Sequence, residues 1–219
     1  MLKVVLLKAD LLTLFTSCKH LEIYLQNLSI DILGVPSDTF DSCMDRIENS
    51  QNLMMVPRAV FESTQHRLLP RSRDLRAKLY TCIPRDLSTA RSLAKLSGVY
   101  TIALRSDTVQ MVDSTEINLL TQVRERKFIE VHIHSFLELL RSDKKVSTER
   151  MFYFLGESIE YALRRDVPVV VSSASPVPSQ VLHPQQIDAL LFSLGFTKRE
   201  RRMMLEVYPL ELLSIWREW

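Results

Sequence analysis

Short apolar runs rich in β-branched residues alternate along this chain with longer stretches whose apolar positions recur at helical spacing. The short runs, at residues 4–7, 29–33, 53–56, 79–83, 99–104, 109–112, 128–134 and 167–171, predict eight strands, because branched side chains pack well on a pleated surface. Helical spacing predicts helices over roughly 10–26, 38–49, 86–96, 114–126 and 147–165. Strand followed by helix, repeated, is the pattern of a parallel sheet, and eight strands suffice to close one. The expected fold is therefore α/β, a (β/α) TIM-like barrel, with an open doubly wound sheet as the alternative.

Capping chemistry marks several boundaries. Asp113 with Glu116 predicts a helix opening at 114, and Thr197 with Glu200 predicts one at 198. Pro184 suits the first turn of a helix with an apolar stripe of Ile187, Leu190, Leu191 and Leu194, and Gly195 suits its C-terminal cap. Pro209 is expected to push Tyr208 out of the helical region and to open a last helix over 210–216. Residues 184–219 thus read as short C-terminal helices. With no linker or repeat in 219 residues, the chain is expected to form one domain, 1–219, interrupted by a basic insertion loop with a short helix at 62–78.

Composition narrows the chemistry. A 46% hydrophobic fraction with 25% charged residues fits a globular protein, and no apolar run reaches the ~20 residues of a membrane helix. The N-terminal stretch carries Lys3, Lys8 and Asp10 and lacks a cleavage pattern, so a cytoplasmic protein without a signal peptide is expected. Four glycines, none clustered, leave no backbone loop able to cradle a nucleotide's phosphates. Cys18, Cys43 and Cys82 make no CxxC pair and no zinc spacing with the histidines, and read as reduced packing residues. The net charge is only +2, but the first 50 residues hold four Lys/Arg against seven Asp/Glu, a balance of −3, which leaves +5 elsewhere. That asymmetry fits either one basic face or ordinary solvated charge.

Four groups of residues carry candidate chemistry. The 62–78 loop holds Arg67, Arg71, Arg73, Arg76 and Lys78, whose guanidinium forks suit phosphate oxygens but equally suit a solvated loop. Lys198, Arg199, Arg201 and Arg202 occupy the capped helix near the C-terminus, as a phosphate-binding or merely exposed face. Ser172, Ser173 and Arg105 follow strands, where a barrel's ligand-binding end lies. Glu130, His132 and His134 alternate and would share the inward face of one strand, either as a hydrogen-bonded polar interior or as ligands of a metal ion. No Ser/His/Asp or Cys/His constellation and no GxSxG motif is present.

The most specific segments are 167–174 (VPVVVSSA), 182–190 (LHPQQIDAL), 194–196 (LGF) and 208–213 (YPLELL). Together they resemble the archaeal ribonuclease P protein component 3 family, which has a strand ending in SSA or SSG, a P-x-D-L helix, an LG turn and a closing YP-x-x-I/L-L. Residues 106–113 and 131–140 are similar to it less specifically, so the resemblance covers most of 79–215. The chain departs from the pattern at Gln185 and Gln186, where Arg-Asp is common, and after Ser173-Ala174, where Gly or Lys is usual. The resemblance implies a barrel related to PHP-type metal-dependent phosphoesterases whose metal ligands have been lost. It also implies a subunit of the endoribonuclease that removes the 5′ leader of precursor tRNA. That subunit meets the catalytic RNA directly, precursor tRNA indirectly, and protein component 2 in a heterotetramer. Catalysis belongs to the RNA and its Mg2+ ions, so no catalytic residue and no protein-bound cofactor is expected here. On this reading Arg58, Arg71, Arg73, Arg76, Arg105, Lys198, Arg199 and Arg202 would neutralise phosphates, with Ser172 and Ser173 near the barrel mouth. The rival is a PHP-type metal-dependent hydrolase built on Glu130, His132 and His134.

Overall fold

The structure, a computed structural model, describes residues 7–15, 17–19, 21, 23, 28–47, 53–69, 79–98, 100–141 and 145–217. Seven parallel strands run in sequence order around it: β1 (Ala9–Asp10), β2 (Ile32–Pro36), β3 (Met54–Ser63), β4 (Leu79–Pro84), β5 (Tyr100–Leu104), β6 (Phe128–His132) and β7 (Val169–Ser172). Strands β4 to β7 are buried at every position, as expected for parallel strands with helices outside and neighbours inside. The sheathing helices are α1 (Phe40–Ile47), α2 (Leu87–Ala94), α3 (Ser114–Leu120), α4 (Ile133–Leu140) and α5 (Lys145–Arg164). After β7 come a 3₁₀ turn, then α6 (Pro184–Ser193), α7 (Lys198–Arg202) and α8 (Tyr208–Arg217). This is an α/β TIM-like barrel with short C-terminal helices. Among the described residues no helix is long and apolar enough to cross a membrane.

Closure of the barrel depends on the segment after β1. The Ala174 amide donates to the Leu12 carbonyl (2.8 Å) and the Leu14 amide to the Ser175 carbonyl (2.7 Å), joining the two edge strands at their C-terminal ends. Ala174 adopts the left-handed region at φ 49° to make this turn, a conformation glycine would take at less cost. The Thr13 amide and hydroxyl both donate to the Gly34 carbonyl, at 2.9 and 2.7 Å. Here the chain passes so close to β2 that a Cβ on Gly34 would lie 1.8 Å from the Leu11 carbonyl oxygen and 2.9 Å from Arg58 Cγ. Only glycine fits.

Several expectations need correction. The run at 109–112 is not a strand, and seven strands, not eight, are present among the described residues. Its backbone is spent on successive turns, Thr108 N to Arg105 O and Met111 N to Thr108 O, and Val109 and Val112 are buried as plugs beneath them. Among the described residues the first strand begins at Ala9; of the run expected at 4–7, Leu7 is not in a strand and residues 4–6 lie outside the described residues. Residues 11–15 are not helical, because barrel closure uses their amides and carbonyls. The region read as a 62–78 insertion begins later, since Glu62 and Ser63 belong to β3 and pair with β4. Residues 64–69 form turns and an isolated bridge, not a helix, and 70–78 lie outside the described residues. Cys18 and Cys43 form a disulfide, with Cα atoms 5.3 Å apart, in place of two reduced thiols. Sequence spacing hid this pair, because only the fold brings positions 25 apart together. Cys82 is free and buried, and burial pushes its thiol up to about 12, which leaves no thiolate for nucleophilic chemistry.

The C-terminal boundaries follow the capping chemistry. Thr197 and Glu200 make a reciprocal capping box, His183 and Gln186 make another before Pro184, and Gly195 stands at φ 92° past the end of α6. Asp113 caps α3 as expected, although the Glu116 side chain turns to Arg91 instead of back to the cap. Tyr208, however, remains helical at φ −63°, ψ −36°. A single π turn over Met203–Val207 widens the helix just before Pro209, so the ring is accommodated without a break.

Candidate functional site

The barrel interior converges on one carboxylate. Glu130 on β6 points inward and accepts hydrogen bonds from four other strands. Arg58 Nη2 of β3 donates to Oε2 at 2.6 Å and Thr101 Oγ1 of β5 at 2.7 Å, joined there by Thr81 of β4, while Ser172 Oγ of β7 donates to Oε1 at 2.7 Å. The shear of the barrel makes this possible, because inward side chains from different strand positions reach one level. Arg58 and Glu130 are both completely buried. Burial alone would raise the Glu130 carboxyl, but the adjacent Arg58 guanidinium, His132 and the Thr81 hydroxyl together outweigh it and hold the group well below the usual carboxylate range. Burial likewise lowers Arg58, opposed by the attraction of Glu130.

Asp10 belongs to the same interior. Its Oδ1 accepts the Ser173 amide at 2.9 Å, and burial pushes its carboxyl up to about 6 against the lowering effect of its contacts with Ser173. Asp10 Oδ2, Arg58 Nε and Nη1, His132 Nε2 and Ser173 Oγ are buried without a hydrogen-bond partner among the described residues.

The trio Glu130, His132 and His134 does not hold together. Strand β6 ends at His132, and His134 lies in the first turn of α4, its amide bonded to the Ser173 carbonyl (3.0 Å) and its Nε2 3.3 Å from Glu138. His132 Nε2 stands 3.9 Å from Glu130 Oε2, whose lone pairs are taken by the arginine and hydroxyls. A cation already neutralises the carboxylate that a metal would need. Among the described residues no group of three or more His, Cys, Asp or Glu could hold a metal ion.

The expected phosphate-binding residues divide into three sets. Arg58, Ser172 and Ser173, expected near RNA, are fully buried inside the barrel. Their polarity serves Glu130 and Asp10, a partnership that spacing along the chain does not reveal. Arg71, Arg73 and Arg76 lie outside the described residues. Arg105, Lys198, Arg199 and Arg202 lie at the surface. Arg105 follows β5 at the C-terminal end of the barrel, 29% exposed and 3.0 Å from Asp107. Arg202 pairs with Glu206 at 2.9 Å, whereas Lys198 and Arg199 are exposed and in no ion pair among the described residues. Arg201, read as part of the same basic face, is instead a strut: its Nε donates to Asp188 and its Nη1 to the Phe196 carbonyl, both at 2.7 Å.

Sequence reasoning missed Asp10, Thr81 and Thr101 as members of the interior network. A signal existed for two of them: Thr81 and Thr101 are polar positions inside otherwise apolar strand runs.

No family model matches this sequence, and no curated protein matches it significantly. The fold is similar to a chain in a structure described as the cryo-EM structure of archaeal Ribonuclease P with mature tRNA. The TM-score is 0.69 at 16% identity, and the match covers 91% of this chain and 88% of that one. At that identity the likeness establishes a shared barrel.

Proposed function

We propose that this chain is a protein subunit of a ribonuclease P, where it binds and stabilises the catalytic RNA that removes the 5′ leader of precursor tRNA. The observation that carries this reading is the near end-to-end likeness to a chain of the archaeal assembly. It is supported by an interior whose one central carboxylate is neutralised by Arg58, which suits a scaffold better than a hydrolase. In this reading the chemistry rests with the RNA and its Mg2+ ions, in the cytoplasm. The protein takes no cofactor and acts beside component 2 in a heterotetramer. Lys198 and Arg199, in no ion pair among the described residues, neutralise backbone phosphates together with Arg105, Arg202 and the arginines at 71, 73 and 76. Fixed cations on a rigid barrel lower the cost of bringing RNA helices together, and each phosphate neutralised makes affinity more sensitive to salt.

Reconstitution tests this directly. Catalytic RNA and its partner proteins are assayed for precursor-tRNA cleavage with and without this chain, at two salt concentrations. The expected result is a gain in cleavage or RNA association on adding the chain, weakening steeply with salt. Unchanged cleavage and RNA association would refute the proposal, as would phosphoester cleavage by the polypeptide alone.

A further inference from the structure

Helix α5 carries a glycine that the chain itself does not use. Gly156 lies in the interior of the 20-residue helix, where glycine is among the poorest formers, and an added Cβ would meet no atom within 4 Å. Neither a tight turn nor close packing within this chain accounts for it. What the missing side chain creates is a notch in the floor of a groove of about 460 Å³, between α5 and the α6–α7 connection. Leu194 and Phe196 form the opposite wall. Two large aromatics stand exposed on the flanking helices, Tyr153 at 62% and Phe192 at 67%.

The groove is also charged in one sense. Glu157, Glu160 and Glu200 line it, and no Lys or Arg does. Each carboxylate uses one oxygen within the chain: Glu157 Oε1 accepts from the Tyr153 hydroxyl, Glu160 Oε1 from Arg164, and Glu200 Oε2 from Thr197. The second oxygens, Glu157 Oε2, Glu160 Oε2 and Glu200 Oε1, have no hydrogen bond within the described chain. Three acceptors around an apolar floor repel phosphates and attract ammonium and guanidinium groups.

We infer that this groove docks a Lys/Arg-bearing segment of a partner protein, one residue of which enters the notch over Gly156 while its cations meet the three glutamates. Exposed aromatics at the rim and a small residue allowing close approach fit the centre of a protein interface. The inference does not depend on the RNA-binding reading, since it rests on the groove's glutamates and on Gly156 and not on the cations of α7.

The test uses the full-length tagged chain purified with its native complex, with p-benzoylphenylalanine placed by Tyr153→Bpa and, as a control on α8, by Ser214→Bpa. The expected result is a light-induced adduct at position 153, absent at 214, to a protein peptide bearing an excess of Lys and Arg. Introducing Glu157→Lys with Glu160→Lys should lower the adduct yield at least five-fold while the melting temperature of the isolated chain stays within a few degrees. An adduct to RNA, to this chain's own sequence or to a neutral or acidic peptide would overturn the inference, as would no adduct or a yield indifferent to the charge reversal. RNA co-purifying with each variant is measured in parallel. Its loss with an intact adduct counts against the RNA role alone, and its retention without the adduct is the outcome expected of the charge-reversed chain.

Discussion

The barrel interior and the C-terminal helices both contain arginines, and the two regions use them oppositely. Inside, Arg58 is wholly buried and satisfies Glu130, a residue 72 positions away. Outside, Lys198 and Arg199 project from a helix of five residues, while Arg201 beside them is consumed by Asp188 and Phe196. The same kind of cation is a buried structural partner, a strut or an exposed solvated charge according to its surroundings. A buried charge is committed by the cost of leaving it unpaired, whereas an exposed one remains available because water already solvates it.

That contrast can be broken from the inside first. Arg58→Met should destabilise the chain by about 3–5 kcal/mol, the usual cost of leaving a buried charge uncompensated, as read by urea unfolding. Adding Glu130→Leu should recover much of the loss. A double variant as unstable as the single one would show that the pair is not the source of the effect.

Asp10 comes next. Its carboxyl titrates near 6 in the folded chain, against an ordinary 3.8. As pH rises from about 4 to 6 the unfolded chain ionises while the native one still holds its proton, so stability falls over that window and stays low above it. The difference corresponds to about 3 kcal/mol. Asp10→Asn keeps an acceptor for the Ser173 amide and should be more stable than the parent at pH 7, with the decline between pH 4 and 6 reduced. An unchanged pH profile would rule the burial penalty out.

Smaller effects sharpen the outer half of the comparison. Gly156→Ala should stabilise the chain by about 0.5–1 kcal/mol in thermal unfolding, because the site is helical and open. Lys198→Ala with Arg199→Ala should change stability by less than about 0.5 kcal/mol. It should also lower the slope of log affinity for RNA against log salt by roughly two, one for each phosphate no longer neutralised. Destabilisation instead would place these cations with the struts.

Much of the fold was legible because it is written locally. Six of the eight expected strand runs coincide with or overlap a strand, and the helix ends at Thr197, His183 and Asp113 follow from side chains two or three residues from the amides they cap. The run at 109–112 misled because β-branched residues signal burial as well as extension, and a buried turn meets the first without the second. The candidate site was less legible. Exposed Lys198 and Arg199 could be picked out by composition. Arg58, Ser172 and Ser173 could not be assigned their roles, since their partners lie on other strands.

By itself the sequence determined what depends on neighbours a few residues apart: the order of strands and helices, the capped ends and the short C-terminal helices. Tertiary structure alone decided the number of strands, the closure through Leu12 and Ala174, the Cys18–Cys43 bond, and the meeting of Arg58 with Glu130. The physical reason is range. Periodicity and capping are set by backbone geometry within one turn or one strand, whereas a buried charge acquires its partner only when a closed sheet brings distant strands to the same level.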